Sequence, residues 1–340
     1  MSVIFFCNAS LKIGMGHAYR CLALADYLSE KHNIKINLLT TESKKAFHDI
    51  KIRFPINISE IKSNNHVKRL IKCIKTHDAK ILILDIRYVL NRKDLLLVKK
   101  ETGVKIITID DPEDKRLEAD IAFYPPVPQL ETMDWTDYKG ELYIGWEYII
   151  LRKEFLQRYS KPSNSIPNIL ITMGGTDEKN ITEFVVKSLN SLKKRIKTVI
   201  IVGKSYPYRK QLEKSLEKVD FDFELHQDPE NLSIIMSKVD FAIISFGQTA
   251  YELAALGVPM LFLCITRDHL HSSKLFTKIG IGNSLGIYPF ENDLFFLKKI
   301  TNSIDNIQDL EKMKTHSASL EISNLGLISK VLMKNIIPTL

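Results

Sequence analysis

Short apolar runs alternate with amphipathic helical stretches from one end of this chain to the other, and that alternation constrains its fold more than any other feature. Each run is only a few residues long and rich in Val, Ile, Leu and Phe, as a strand buried on both faces requires. In the first half the expected strands are Val3–Cys7, Lys35–Thr40, Ile81–Asp85, Val104–Asp110 and Ile121–Phe123. Helical patterns fall between them near His17–Lys31, Asn65–His77 and Arg92–Glu101. Strands separated by helices give a parallel sheet with helical crossovers, an α/β architecture.

The scheme then starts again. A charged stretch, "LRKEFLQRYS", is expected to be helical and to end in "KPSNSIP", which cannot be helical throughout; a new buried strand, Asn168–Thr172, follows. The domain boundary is therefore placed near Lys161, giving an N-terminal domain over 1–160 and a C-terminal one over 161–340. Further strands are expected near Lys197–Val202, Asp222–His226, Phe241–Ser245 and Pro259–Leu263. Their helices fall near Asn180–Lys194, Tyr208–Glu217, Leu232–Lys238, Gln248–Leu256 and Leu270–Lys278. At 340 residues the chain is long enough for two such halves, each with its own core. The final "GLISKVLMKNIIPTL" suits a helix, but its pattern does not say which half it packs on.

Composition narrows the setting. No apolar run approaches the roughly 20 residues of a membrane span, and "MSVIFFCNAS" reads as a first buried strand rather than a signal peptide. The cysteines Cys7, Cys21, Cys73 and Cys264 form no Cys-x-x-Cys pair, so a reduced, cytoplasmic protein is expected. The net charge of +8 is unevenly laid down: residues 51–100 carry a surplus of +9, and residues 101–150 one of −8. The segment "HVKRLIKCIKTHDAK" could rest on an anionic membrane. Its Val67, Leu70, Ile71 and Ile74 also follow a helical period, which fits a solvated amphipathic face. No aromatic-interleaved basic motif points to nucleic acid.

Three loops carry the chemistry. In "IGMGHAYRCLALADYL", Gly14 and Gly16 follow the first strand and precede a helix, whose free N–H groups can face an anion. A dinucleotide fingerprint would need a third glycine where this chain has Tyr19. His17, at the positive helix start, is favoured as the neutral imidazole a general base needs, though a histidine here can equally just cap or pack. Zinc is disfavoured, because no second ligand stands at helical spacing. In "ITMGGTDEKN", Gly174 and Gly175 permit close backbone approach, and Thr176 and Asp177 can cap the next helix; a plain turn explains them as well. In "ISFGQTAYELAALGVP", Ser245 ends a strand, Gly247 turns the chain, and Gln248, Thr249 and Glu252 lie on the helix that follows. Glu252 could accept ribose hydroxyls, or it could be an ordinary surface glutamate.

Together with "ITIDDPED" and "GWEYIILRKEF", these loops in this order resemble the UDP-sugar hydrolases of pseudaminic acid synthesis and their relatives in spore-coat polysaccharide synthesis. More distantly, the chain is similar to the N-acetylglucosaminyltransferases of peptidoglycan precursor synthesis. The resemblance runs from the first strand past residue 260, about three quarters of the chain. It implies a GT-B fold, in which two doubly wound Rossmann-like domains face a cleft, and an inverting, metal-independent hydrolase of a UDP-sugar that uses no cofactor. It assigns water activation to His17 and substrate contacts to Gly14, Gly16, Arg20, Asp85 and Tyr88. It assigns the UDP to Gly174, Gly175, Thr176, Ser245, Gly247, Gln248, Thr249 and Glu252. One departure is plain: after the fourth strand the hydrolases usually read Asp-His-Tyr, and this chain reads "LDIRY", with the nearest aromatic at Tyr88. The chain also looks longer at its C-terminal end than the compact hydrolases. A glycosyltransferase with a UDP-sugar donor and a non-catalytic nucleotide-sugar binder are the alternative readings.

Overall fold

The computed structural model describes residues 2–8, 15–41, 56–61, 65–160, 166–290 and 293–334. The chain divides into two compact units. In the first, β1 (Ser2–Cys7), β2 (Lys35–Thr40), β3 (Ile56–Glu60), β4 (Ala79–Asp85), β5 (Lys105–Ile109), β6 (Ile121–Tyr124) and β7 (Glu141–Ile144) form one sheet in the order β3-β2-β1-β4-β5-β6-β7. Every pairing is parallel. The central β1 is buried along its whole length, as its unbroken apolar run demands.

Helices cover both faces. On one, α1 (Gly16–His32) sends Ala18, Cys21, Leu24, Ala25 and Leu28 onto Val3, Phe5 and Ile83. On the other, α2 (His66–Thr76) and α3 (Arg92–Thr102) send Leu70, Ile74, Leu95 and Val98 onto Ile4, Phe6 and Leu82. A capping box between Asn91 and Asp94 starts α3, and Gly103 ends it in the left-handed conformation. The basic stretch read around α2 is an amphipathic helix, with Leu70 and Ile74 inside and Lys68, Arg69 and Lys72 exposed.

The second unit holds β8 (Asn168–Thr172), β9 (Lys197–Val202), β10 (Asp222–Gln227), β11 (Phe241–Ile244), β12 (Met260–Cys264) and β13 (Gly282–Ile287), ordered β10-β9-β8-β11-β12-β13 and again parallel throughout. Its helices are α4 (Ile181–Ser191), α5 (Arg209–Leu216), α6 (Leu232–Ser237), α7 (Gln248–Ala255), α8 (Arg267–Lys278), α9 (Asp293–Asp305) and α10 (Ile307–Ala318). A continuous core joins the sheet to α4, α5, α9 and α10 through residues such as Ile171, Val185, Leu212, Phe296 and Leu310.

Two boundaries differ from the sequence expectation. The second unit begins at Lys153 rather than near residue 161. Residues 153–156 form one 3-10 turn, not the expected helix. Its Phe155 is fully buried, and Tyr159 reaches Ser233 Oγ at 2.9 Å, which ties the stretch to that unit. The second unit also ends at Leu320, not at residue 340, because the C-terminal segment returns to the first unit. There α11 (Leu325–Lys334) buries Leu325, Ile328 and Leu332 in the α1 core, and Ser329 Oγ lies 2.7 Å from His32 Nε2. Among the described residues, no helix is long and apolar enough to cross a membrane.

Candidate active site

In an open parallel sheet, ligands bind beyond the carboxyl ends of the strands at the point where strand order reverses. In the first unit that point lies between β1 and β4. Register sets Cys7, the last residue of β1, opposite Asp85, the last residue of β4. α1 follows β1 in the chain; its N-cap Met15 makes no side-chain cap, and its first turn holds no acidic residue to offset the positive end. His17 and Arg20 stand three residues apart on that turn and face the same way.

Both reach Asp85. His17 Nδ1 lies 2.6 Å from Asp85 Oδ1. Arg20 grips the carboxylate with two donors, Nε to Oδ2 at 2.5 Å and Nη2 to Oδ1 at 2.7 Å. Burial pushes the fully enclosed Asp85 carboxyl up, but the Arg20 and His17 charges and hydrogen bonds outweigh it, and the group is held well below the usual carboxylate range. Arg20 is correspondingly pushed up: burial lowers it, and Asp85 and Asp110 more than compensate.

The tautomer of His17 follows. An ionised carboxylate only accepts, so the 2.6 Å contact requires the proton on Nδ1. The 3.2 Å approach of Arg20 Nη2 to Nδ1 is then close packing, since that nitrogen has no lone pair to offer. In the neutral ring, Nε2 carries the free lone pair, and the side chain is 20% exposed. A buried anion thus fixes the orientation of a partly exposed imidazole.

Asp85, expected at the substrate, is 0% exposed, with both oxygens taken by His17 and Arg20. Arg20 is likewise turned inward, onto Asp85 and, at 3.3 Å, Asp110. Tyr88 is 90% exposed, with φ 57° and its N–H donating to Glu113 Oε1 at 3.0 Å. Gly16 opens α1; Gly14 lies outside the described residues. Tyr19, at the third fingerprint position, places its ring 4.6 Å from the Arg152 guanidinium.

Sequence reasoning missed two members of this cluster. Arg87 donates to the Asp110 carbonyl and stands 3.6 Å from its carboxylate. Asn8, which follows β1, accepts from the Arg87 N–H at 3.1 Å and so links the ends of β1 and β4. A polar residue directly after a buried strand was the available signal. Of the "IDDPED" acids, Asp110 is paired with Arg20 and Arg87, and Asp111 with the buried Lys115 at 3.2 Å. No group of three or more His, Cys, Asp or Glu that could hold a metal occurs among the described residues.

The second unit reverses strand order between β8 and β11. The loops after these strands are adjacent: a Cβ on Gly174, at φ +88°, would lie 3.8 Å from Ser245 Oγ. Gly175 and Gly247 face open space. Gly203, also missed, is required by close approach, since a Cβ there would come within 2.0 Å of the Gly175 carbonyl oxygen. Asp177 rather than Thr176 caps α4, accepting from the Ile181 and Thr182 N–H groups at 2.8 Å each. Thr176 is half-buried beside it.

Gln248 and Thr249 open α7 half-buried, and Glu252, one turn on, is 6% exposed, which rules out the plain surface glutamate. Phe246 anchors the loop on Phe262 and Phe276. The His269 ring lies 6.2 Å from Phe246, with Nδ1 buried and without a hydrogen-bond partner; burial pushes its pKa down.

No known family profile matches the chain. It is 28% identical over 283 residues to the UDP-2,4-diacetamido-2,4,6-trideoxy-beta-L-altropyranose hydrolase of Campylobacter jejuni, covering 82% of this chain and 97% of that protein. It is 26% identical over 305 residues to a Helicobacter pylori protein named as pseudaminic acid cytidylyltransferase and the same hydrolase. That match covers 86% of this chain and only 50% of the relative's length. The resemblance read in the motifs therefore extends over most of the sequence. Among solved structures the chain superimposes on MurG of Acinetobacter baumannii with a TM-score of 0.73 at 15% identity, covering 98% of this chain and 100% of the other. It superimposes on the S. aureus MnaA–UDP complex with a TM-score of 0.70 at 14% identity, covering 98% and 95%. The fold is GT-B.

Proposed function

We propose that this GT-B relative of UDP-sugar hydrolases cleaves the anomeric C–O bond of a UDP-linked amino-deoxy sugar, for the synthesis of a nonulosonic acid or surface polysaccharide. His17 Nε2 takes a proton from water as the oxygen attacks C1. The C1–O bond breaks, UDP leaves with the electron pair, and attack from the opposite face inverts the anomeric centre. UDP is a weakly basic leaving group, so one base suffices where ordinary glycosidases need two carboxylates. The Gly174–Thr176 loop, Ser245, Gly247, Gln248 and Thr249 take the diphosphate, where backbone N–H groups hold the developing charge, and Glu252 takes the ribose. Gly16 and Tyr88 are the remaining contacts on the sugar side. The reaction needs no metal, and the pairing of Asp110 and Asp111 with Arg20, Arg87 and Lys115 supports that.

The observation that carries the reading is the buried Asp85 fixing the His17 tautomer so that Nε2 keeps the free lone pair. The test is His17→Ala assayed with a panel of UDP-sugars, following anomeric protons by NMR. Free sugar of inverted configuration is expected from the parent, and a loss of about 10²–10⁴ in kcat from the variant, with UDP affinity unchanged. Equal turnover by the two proteins would overturn the assignment. The second reading is transfer to a lipid-linked acceptor, which draws on the exposed Lys68, Arg69 and Lys72 face of α2. UDP release only when a second sugar is added would favour it.

A further inference from the structure

A cavity of about 820 Å³ opens in the second unit where α8 and α9 both pack on β13, the edge strand of its sheet. It lies away from the glycine loops. Leu261 is the second residue of β12, and Asn283 and Ser284 are the second and third of β13, whereas the Gly174 and Ser245 loops follow the carboxyl ends of parallel strands. Its volume is that of a small-molecule site.

The lining is divided by chemistry. Leu261, Leu285, Leu310 and Met313 make a buried apolar floor. Lys274 and Lys278 stand one turn apart on α8, and neither has an ion-pair or hydrogen-bond partner among the described residues. Lys299 comes from α9; its ammonium donates to the Ser284 carbonyl at 2.8 Å and lies 4.6 Å from the Phe295 ring. Partial burial pushes its pKa down. Asp309 is the one acid among these lining residues, and it is committed to the α10 cap with Asn306 and to Lys312. Like charges four residues apart on a helix repel, and here they share a concave wall with a third cation and no free carboxylate.

From this arrangement we infer that the cavity binds a phosphate ester of nucleotide size: Lys274, Lys278 and Lys299 hold the phosphate, and the apolar floor receives the rest of the ligand. A phosphate suits a cavity lined by three lysines and no free carboxylate, and the Asn283 and Asn302 amides can read polar groups on the remainder. The inference is independent of the reading of His17 and Glu252.

The experiment is calorimetric titration of adenosine 5′-monophosphate into the full chain and into the Lys274→Glu/Lys278→Glu variant, with melting temperatures measured on both. The two lysines are exposed, so the variant is expected to fold and melt as the parent does. The parent should bind saturably below about 1 mM, and the variant at least about tenfold more weakly. Lys274→Arg/Lys278→Arg should retain binding. No saturable binding by the parent, or equal binding by parent and Glu variant, would overturn the proposal.

Discussion

The two units place a crevice at the same point of similar sheets and build it from opposite materials. In the first, the strand ends carry side-chain charge: Asp85, Arg20, Asp110 and Arg87 lock into one another and hold a single imidazole. In the second, the strand ends carry backbone: Gly174, Gly175 and Gly247 leave open space, and Gly203 lets one loop lie against another. The first arrangement suits proton transfer, which needs one group fixed in one tautomer. The second suits a phosphate, which needs N–H groups and room. A shared topology therefore says where a ligand goes, and only the loop residues say what happens to it.

The largest effect that would break this contrast is at Asp85. Asp85→Asn keeps the shape but can present an N–H to His17, forcing the ring into the other tautomer; a fall of about 10³–10⁴ in kcat is expected, with UDP affinity unchanged. The substitution also leaves Arg20 buried without its main partner, at a cost of about 3–5 kcal/mol. Asp85→Asn combined with Arg20→Met removes that charge, and should recover stability without recovering rate. Acid unfolding supplies a second readout. Because the folded carboxyl is held below its ordinary value near 4, its contribution is complete above that pH and is lost as pH falls toward the depressed value. The double variant should therefore show a shallower acid limb. Retained turnover in Asp85→Asn would make the ion-pair cluster merely structural.

Next in size is the carboxylate of the second crevice. Glu252→Gln should weaken UDP binding by about 10- to 100-fold and leave the kcat of the bound substrate nearly unchanged, because a charged hydrogen bond to a hydroxyl is lost far from the reacting carbon. Isothermal titration with UDP measures the first expectation, and saturating kinetics the second. A change in kcat of the same size as the change in affinity would mean that the two crevices do not divide their labour.

How much of this was legible in the sequence follows from burial. The strands β1, β4, β8 and β11 are covered on both faces, and their apolar runs were readable. The edge strands β3, β7 and β13 were missed because "INISE" and "ELYI" are half-exposed and "GNSLGI" carries two glycines. The glycine loops were found because glycine next to a helix start is a local signal. The His17–Asp85 bond was not readable, because the two residues are 68 apart and meet only through the β1–β4 register. Arg87 and Asn8 were hidden for the same reason, and α11 because nothing in an amphipathic helix names the surface it will cover.

A smaller effect is expected at Gly203. A Cβ there would overlap the Gly175 carbonyl, so Gly203→Ala must shift a backbone segment rather than a side chain. A loss of about 1–3 kcal/mol in stability by denaturant titration is expected, with a few-fold weakening of UDP binding as the loop moves. Loss of stability with UDP affinity intact would separate that glycine contact from the nucleotide.

The smallest expected effect sharpens the contrast from the other side, at Tyr88. The residue is 90% exposed and holds a left-handed backbone through its N–H bond to Glu113, a bond that any residue but proline can make. Tyr88→Ala removes no packing, so stability should stay within about 0.5 kcal/mol of the parent. If the ring closes over a bound sugar, its loss should raise KM a few-fold while kcat holds, since a contact made equally in the ground and transition states changes binding alone. A fall in kcat would instead place Tyr88 with His17 in the proton-transfer machinery. An unchanged KM would leave the charged crevice without an aromatic wall and confine sugar recognition to residues that are already half-buried.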